Sequence, residues 1–257
     1  MSRVYDVIVV GAGSMGMSAG YELARRGVKT LLIDAFDPPH AEGSHHGDTR
    51  LIRHVYGGGP TYVELALRAD ELWTELEQAS GEKLLQRTGV LNIADSGSYD
   101  YGRRFRDAEE HGIRFEELDA ESIRERWPAV QVEPRYRALF EPRAGVLFSE
   151  KCVAAYRRLA LENGARLLTG TFVNEVQAEG TFVTVRTDQG DYAAGQAIVT
   201  AGAWFKSLEP FVRLPIRAVR KVVGWFEAES SAYEAERLPR FTFGDGTGGY
   251  YGFPSFG

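Results

Sequence analysis

The chain has 257 residues, of which 44% are hydrophobic, enough to bury a sizeable core in one large domain or two interleaved ones. Its formal net charge of −6 excludes the broad basic surface that general nucleic-acid binding requires. Its single cysteine excludes an internal disulfide framework, and no apolar run approaches the roughly 20 residues of a membrane span. Because no charged leader precedes the first apolar run, we expect a globular, cytoplasmic protein without nucleic-acid or membrane partners.

A glycine-rich turn follows the first apolar run. Residues 7–10, Val-Ile-Val-Val, predict a buried strand, and the next six residues read Gly-Ala-Gly-Ser-Met-Gly. Gly11 would permit the tight turn, Gly13 the close approach of a diphosphate, and Gly16 the close packing of a helix on the strand. The first N–H groups of that helix and the positive end of its dipole would face the anion. The turn therefore predicts a nucleotide site.

The segments after the turn complete a nucleotide-binding unit. The helix predicted over residues 17–26 carries small residues that allow close approach to a sheet, and Gly27 supplies its stop. A second apolar strand over residues 28–33 ends in Asp34, 23 residues after Gly11. A carboxylate there would bind the ribose 2′-hydroxyl and repel a 2′-phosphate, which favours FAD or NAD over NADP. The alternative, an ordinary βαβ unit without a ligand, leaves this agreement of strand, glycines, helix and acid unexplained.

The middle of the chain mixes a long loop, helices and short strands. Residues 35–60 predict an ordered functional loop, and a capping box over residues 61–64 predicts a helix that ends at Gly81 and packs on the nucleotide domain. Residues 84–145 predict an insertion. It contains a short strand over residues 89–94, a charged helix ending near Gly112, and a second short helix that stops at Trp127-Pro128.

The last part returns to the first domain and predicts an antiparallel meander. A helix begins at Ser149, covers residues 150–163 and stops at Gly164. Four strands are predicted over residues 166–169, 172–178, 182–187 and 192–199. The last of them leads into a small-residue turn at 200–204 that lets backbone approach a cofactor, and two further strands are predicted over 217–227 and 248–254.

These elements predict an α/β fold with two interleaved domains. One is an FAD-binding, Rossmann-like domain with a parallel sheet and a β-meander, formed by residues 1–84 and 146–212. The other is an α+β substrate domain with an antiparallel sheet, formed by residues 85–145 and 213–257.

Four segments carry a family resemblance. They are residues 6–17, residues 34–40 (Asp-Ala-Phe-Asp-Pro-Pro-His), residues 43–50 (Gly-Ser-His-His-Gly-Asp-Thr-Arg) and residues 250–257 (Tyr-Tyr-Gly-Phe-Pro-Ser-Phe-Gly). In these segments the chain resembles the monomeric sarcosine oxidase and N-methyltryptophan oxidase family, within the D-amino-acid-oxidase-like group. The His-His-Gly-Asp-Thr-Arg segment is far more specific than the glycine turn.

The resemblance implies an oxidase with FAD as cofactor. Such an enzyme oxidises the C–N bond of a small N-methyl amino acid to an imine, and oxygen is reduced to hydrogen peroxide. Two alternatives stay open from the residues: a D-amino-acid or other amine oxidoreductase of the same fold, and a non-catalytic fragment that binds adenine nucleotide weakly or not at all.

The resemblance also implies the site residues. Arg53 would pair with the substrate carboxylate, because a guanidinium donates two parallel hydrogen bonds to it, and Tyr251 would line the substrate side. Thr49, Arg50 and His46 would lie beside the isoalloxazine ring. The residues expected to bind the cofactor are Gly11, Gly13, Ser14, Met15, Gly16, Asp34, Ala35, Ser44, His45, Arg50, Val173, Gly202 and Trp204.

Several of these residues have plainer alternatives. Arg50 and Arg53 would also be explained by ion pairs with carboxylates such as Asp48. Adjacent residues of a strand face opposite ways, so of the tyrosines at 250 and 251 we expect one in the core and one facing a pocket. Cys152 is expected to pack inside a helix interface. No metal site is expected, since neighbouring histidines at 45 and 46 point apart and lack a third ligand.

By the same resemblance, three family elements would follow Gly257: a cysteine that tethers the flavin, a lysine that promotes oxygen reduction, and a closing strand and helix. Cys152 does not match the tethering position, so covalent flavin attachment is not predicted for these 257 residues and their own activity is left open. We expect a monomer.

Overall fold

The computed structural model describes residues 5–97, 100–208, 215–244 and 248–255. The chain divides into two compact units, each built from two stretches of sequence. The first unit consists of Met1–Thr49 and Phe148–Val222, and the second of Arg50–Leu147 and Val223–Gly257. Among the described residues, no helix is both long enough and apolar enough to cross a bilayer.

Helices and strands are numbered in chain order across the described residues. The α-helices are α1 Ser14–Ala24, α2 Pro60–Ser80, α3 Tyr101–Glu110, α4 Ala120–Arg126 and α5 Ser149–Glu162. The strands are β1 Tyr5–Val10, β2 Thr30–Ile33, β3 Thr49–Ile52, β4 Leu85–Arg87, β5 Val90–Asp95, β6 Glu116–Asp119, β7 Tyr136–Glu141, β8 Gly145–Phe148, β9 Arg166–Leu168, β10 Val173–Glu179, β11 Phe182–Thr187, β12 Gly190–Val199, β13 Arg240–Gly244 and β14 Gly249–Gly252.

The first unit is built on a six-stranded sheet in the order β10-β11-β12-β1-β2-β9. Strand β1 pairs in parallel with β12 and β2, and β2 pairs in parallel with β9. Strands β10, β11 and β12 form an antiparallel meander. The apolar run of β1 is buried because both faces of a central parallel strand are covered. The predicted parallel sheet with a meander is confirmed.

Helices α1 and α5 pack on each other in this unit. The rings of Tyr21 and Tyr156 lie 5.6 Å apart, centre to centre. Gly20 brings α1 against the sheet, since a Cβ there would lie 2.5 Å from a methyl carbon of Leu32. Cys152 is buried on α5 as expected. The helix begins at Ser149, but its hydroxyl does not cap it and instead donates to the carbonyl of His45 at 2.7 Å.

The second unit contains two sheets and three α-helices among its described residues. One sheet has the order β14-β13-β5-β7-β6, in which β13 and β5 are parallel and the other pairs antiparallel. The other sheet has the order β3-β8-β4 and belongs to this unit except for its terminal residues Thr49 and Phe148. A buried cluster packs α4 and Trp127 on the five-stranded sheet.

Two sequence predictions about the helix α2 are wrong. It begins at Pro60 after Gly59, and no side chain caps it, because proline at the first helical position replaces the predicted capping box at Thr61. The predicted stop at Gly81 is confirmed, with a left-handed φ of 71°. The helix also lies in the second unit, whereas residues 50–84 were predicted in the first; its buried Asp70 pairs with Arg87 of β4.

The strand predicted over residues 217–227 is also absent. These residues form no regular structure and are exposed, with Trp225 at 75% and Phe226 at 91% of full exposure. Their apolar alternation fits a strand, but no described strand pairs with it, and a lone strand leaves its backbone groups to water. The strand predicted over residues 248–254 is observed as β14.

Candidate functional site

The glycine turn of the first unit brings β1, β12 and α1 into close contact. Gly11 has a φ of +88°, and a Cβ there would lie 2.6 Å from the carbonyl oxygen of Thr200, directly after β12. A Cβ on Gly16 would lie 1.8 Å from the carbonyl oxygen of Gly11. The Thr200 hydroxyl donates to that same oxygen at 2.6 Å. Glycine at 11 and 16 is therefore required by the packing of the protein itself.

Gly13 differs, because a Cβ there would make only an ordinary van der Waals contact. The nearest atom that a Cβ would meet is Nδ1 of His45, at 3.8 Å. Gly13 is also the N-cap of α1 and offers no side chain to the first N–H groups of the helix. Ser14 and Met15 form the first turn of α1, and Met15 is 72% exposed. This open, uncapped helix start fits the diphosphate of a dinucleotide cofactor.

Asp34 lies beside the turn, as the spacing predicted. One carboxylate oxygen accepts the backbone N–H of Ala12 at 2.6 Å, and the other accepts that of Phe36 at 2.9 Å. Nε2 of His40 lies 3.5 Å from the Phe36-bound oxygen. Asp34 is 8% exposed, so the chain holds its carboxylate against the glycine turn, where a ribose would lie.

The other predicted cofactor residues of this unit have different surroundings. Val173 is buried in the sheet core, and Ala35 is half-buried next to Asp34. Gly202, with a φ of 53°, begins the 3-10 helix Gly202–Leu208 after β12. Trp204 is 50% exposed, and its ring lies 6.0 Å from that of Phe36. Trp204 and Asp34 thus flank Phe36.

The His-His-Gly-Asp segment is tied to the start of α5. Nδ1 of His46 lies 2.9 Å from a carboxylate oxygen of Glu150, which also accepts the N–H of Gly47 at 3.0 Å. That backbone hydrogen bond, opposed by burial and helped by His46, lowers the pKa of Glu150. His45 is buried, whereas Ser44 and His46 are exposed. Glu150, which sequence reasoning missed, orients His46.

A strained turn leads from this segment to Thr49 and Arg50. Gly47 and Asp48 have φ values of 99° and 59°, so a non-glycine residue adopts the left-handed conformation immediately before β3. Thr49 and Arg50 are consecutive, partly exposed residues of β3, and their side chains leave the strand on opposite faces.

Arg53 of the second unit is held by neutral groups. Its Nη1 donates to Oδ1 of Asn92 at 2.8 Å and to the hydroxyl of Thr242 at 3.4 Å. Its guanidinium carbon lies 5.0 Å from the centre of the Tyr56 ring. The described residues place no carboxylate within ion-pair distance of Arg53, which argues against the plainer reading as a structural ion pair. Sequence reasoning missed Asn92 and Thr242.

Arg53 and Tyr56 line an open cavity of about 270 Å³ in the second unit. Arg53 is the one charged side chain among its described lining residues. The lining residues are Leu51, Ile52, Arg53, Tyr56, Tyr62, Leu65, Ala66, Ala69, Trp73 and Leu147. The cavity thus combines an apolar, aromatic wall with a single cation.

Tyr251 and Arg53 are both neighbours of Thr242, a residue of the five-stranded sheet. It is opposite Thr242 in the antiparallel pair of β14 and β13, and Thr242 contacts Arg53. Tyr251 is 50% exposed and Tyr250 is 69% exposed, so the expectation that one of them is buried in the core is wrong. The reason is that β14 is the edge strand of its sheet in the described structure.

A buried network of charged side chains contacts Asn92 through Glu141. His54 forms ion pairs with Asp70 at 3.4 Å and with Glu141 at 3.3 Å. Burial lowers the pKa of His54, but the hydrogen bonds and charges of both carboxylates outweigh burial and raise it to about 9. Asp70 also pairs with Arg87 at 2.8 Å. Burial raises the pKa of Asp70, but His54 and Arg87 outweigh it and lower the pKa to about 2.

Among the described residues, no three His, Cys, Asp or Glu side chains are grouped so that they could bind a metal ion. The features that the structure does bring together are the open glycine turn with Asp34 in the first unit and the neutral anchorage of Arg53 in the second. The roles that the sequence resemblance implies for Asp34 and Arg53 stay predictions.

Comparison with known proteins agrees with this reading. The chain is 49% identical to a monomeric sarcosine oxidase of Bacillus sp. (strain B-0618) and 43% identical to an N-methyl-L-tryptophan oxidase of Salmonella heidelberg (strain SL476). The alignments cover 100% and 98% of this chain and 67% of each relative. The solved structure of NikD, an amino acid oxidase essential for nikkomycin biosynthesis, superposes with a TM-score of 0.72 at 26% identity, over 80% of this chain and 53% of NikD.

The resemblance found in the sequence is confirmed by these relatives, and with it the FAD-dependent class. A family model described as FAD dependent oxidoreductase (DAO) matches residues 6–257. With this match and the relatives at 43–49% identity, the chain belongs to the FAD-dependent oxidoreductase family DAO.

Proposed function

We propose that this chain is part of an amine oxidase that acts on the C–N bond of a small N-methyl amino acid similar to sarcosine. The observation that carries the proposal is Arg53, a partly buried cation held only by neutral described groups beside an aromatic cavity. A zwitterionic amino acid supplies the carboxylate that such a cation requires.

The two units divide the work in this proposal. In the first unit, the start of α1 at Gly13 binds the cofactor diphosphate and Asp34 binds the ribose, with Ala35, Ser44, His45, Val173, Gly202 and Trp204 around the cofactor. Bound FAD would supply a hydride acceptor that oxygen regenerates, with hydrogen peroxide as product. In the second unit, Arg53 binds and orients the substrate carboxylate.

The remaining assigned side chains have the roles that the resemblance implies. Thr49, Arg50 and His46 are assigned to the flavin side, with Glu150 holding His46. Tyr251 is assigned to the substrate side. A substrate amine must be neutral before it can lose a hydride, and aromatic walls that exclude water lower the pKa of an ammonium group, which favours the neutral form.

The proposal extends to a monomeric protein in the cytoplasm. The name of the Bacillus relative supports the monomer, and the single cysteine of the sequence suits a reducing compartment.

A peroxide assay tests the proposed function. The complete enzyme that contains this chain is purified with FAD, its flavin absorbance is recorded after desalting, and peroxide is measured with sarcosine, N-methyl-L-tryptophan and D-alanine. We expect retained flavin and peroxide from an N-methyl amino acid in preference to D-alanine. Retained flavin without peroxide from any N-methyl amino acid would contradict the proposed reaction, and peroxide from D-alanine alone would contradict the proposed substrate class.

A further inference from the structure

Arg53 differs from three other arginines of its unit in the kind of partner it has. Arg87, Arg126 and Arg137 each lie within 2.8 Å of a carboxylate oxygen. The side-chain oxygens that accept from Arg53 belong to an amide and a hydroxyl. A partly buried cation without a counter-ion is costly, so this arrangement needs an explanation.

Asn92 is the stronger of these two anchors, and its orientation is determined by four contacts. It is 2% exposed in the central part of β5, between β13 and β7. Its Oδ1 accepts from Arg53 at 2.8 Å and from the Thr242 hydroxyl at 3.1 Å. Its Nδ2 donates to the carbonyl of Leu139 at 3.2 Å and to Glu141 at 3.3 Å. An amide satisfies both sets of partners, whereas neither an acid nor an apolar side chain would.

The same amide separates Arg53 from a buried carboxylate. Glu141 is 1% exposed and accepts the N–H of His54 at 2.7 Å as well as the side chain of Asn92. Its charge is matched by the imidazolium of His54, and that of Asp70 by Arg87. The internal carboxylates thus have their own cations, and the positive charge of Arg53 is left for a ligand.

We propose that Asn92 is a specificity-determining positioning residue, which holds Arg53 through a neutral oxygen and keeps its charge available for the carboxylate of the substrate. This inference rests on the proposed role of Arg53 in substrate binding. An acid at position 92 would form an internal ion pair with Arg53 and compete directly with the substrate carboxylate.

The experiment compares a charged ligand with its neutral counterpart. N-acetylglycine, an unreactive carboxylate of amino-acid size, and N-acetylglycinamide are titrated into the full chain with FAD present, by calorimetry. We expect the wild-type chain to bind the carboxylate at least about tenfold more tightly than the amide, and Asn92→Asp to lose most of this difference. If Asn92 had only a structural role, Asn92→Asp would weaken the binding of both ligands by the same factor.

Two further variants keep the test decisive. Thr242→Asp delivers a carboxylate to Arg53 from a partly exposed position, away from Glu141, and is expected to lose the same preference even if Asn92→Asp unfolds. Asn163→Asp makes the same chemical change at an exposed asparagine of the first unit, which donates to the Leu159 carbonyl at 2.7 Å, and should keep the preference.

The outcomes separate this inference from the proposed function. No carboxylate preference in the wild type, or full preference in a folded Asn92→Asp or Thr242→Asp chain, overturns the role of Asn92. A different result would separate the two proposals. If these variants abolish the carboxylate preference but no N-methyl amino acid yields peroxide, the role of Asn92 is supported and only the oxidase reaction is contradicted.

Discussion

At the scale of single residues, Arg53 determines how a substrate would be held. Replacing it with methionine removes the cation but keeps an unbranched side chain in the cavity wall. We expect Arg53→Met to raise the KM of an N-methyl amino acid by a loss of about 2–5 kcal/mol in binding, because the substrate carboxylate would lie partly buried without a partner. Steady-state kinetics of the complete, FAD-loaded enzyme that contains this chain measure this change.

The matched control is Arg137→Met. Arg137 lies in the same unit and forms a surface ion pair with Glu117 at 2.7 Å, so its loss should leave KM unchanged. Equal KM values for Arg53→Met and the wild type would remove Arg53 from the substrate site.

Asp34 serves the fold as well as the proposed ribose contact. From the sequence alone, alanine at this position would be expected to weaken FAD binding with little effect on the fold. The structure adds that the N–H of Ala12 donates to this carboxylate at 2.6 Å in a buried position. Asp34→Ala is therefore expected to weaken FAD retention and also to lower the free energy of unfolding by about 1–3 kcal/mol. Flavin absorbance after desalting and urea unfolding measure the two effects; undiminished retention would contradict the ribose role.

His54 makes stability depend on pH. Its pKa is raised from 6.5 to about 9, so its stabilising contribution is complete below pH 6.5 and is lost as the pH rises through about 9. The partner Asp70, with a pKa lowered to about 2, stays charged throughout this range. We expect the free energy of unfolding to fall by about 2–3 kcal/mol over this pH window in the wild type and much less in His54→Gln. If the urea midpoints of the wild type and His54→Gln changed with pH in the same way, His54 would not be a charged imidazolium between two carboxylates.

At the scale of elements, helix α1 depends on glycine for its contact with the turn. A Cβ at Gly16 would lie 1.8 Å from the carbonyl oxygen of Gly11, so the helix would have to move away from β1. We expect Gly16→Ala to destabilise the chain by more than about 2 kcal/mol. Urea unfolding compares it with Gly102→Ala in α3, where the added methyl has ordinary contacts and is expected to be neutral or to stabilise by about 0.5–1 kcal/mol. Equal effects of the two variants would contradict the packing at Gly16.

Elements with a strong local signal were predictable from the sequence. Strand β1, helix α1 and strand β2 follow from a buried apolar run, glycines and an acid, and the meander follows from turn residues between alternating strands. Strands β4 and β6 were missed because three or four residues carry little periodicity. Residues 217–227 show the opposite failure, since an alternating pattern without a pairing partner is exposed and forms no strand.

At the scale of the whole molecule, contacts between distant parts of the sequence explain what sequence reasoning missed at the candidate site. The asparagine that holds Arg53 lies 39 residues away, and the glutamate that holds His46 lies 104 residues away. No local pattern connects such pairs, because only the folded sheets bring them together. The glycine turn and Asp34 were found because their spacing of 23 residues follows a known mechanism of dinucleotide binding.

The residues assigned to the proposed function are divided between the two units. The first unit carries the cofactor features and the second carries Arg53. The chain spans 67% of the curated relatives it matches and 53% of NikD, so the activity of the whole enzyme is proposed from shared residues.

The central claim, that FAD binds over the start of α1, is tested most directly by titrating FAD into the apo wild type and Gly13→Ala. Apart from its chain neighbours, the added methyl would meet only Nδ1 of His45, at 3.8 Å, and the backbone at Gly13 is extended, so the apo stability should fall by no more than about 1 kcal/mol, the cost of alanine at an N-cap. If the cofactor diphosphate occupies that space, Gly13→Ala should weaken FAD binding by at least about tenfold. Equal FAD affinities for the two proteins would contradict the account.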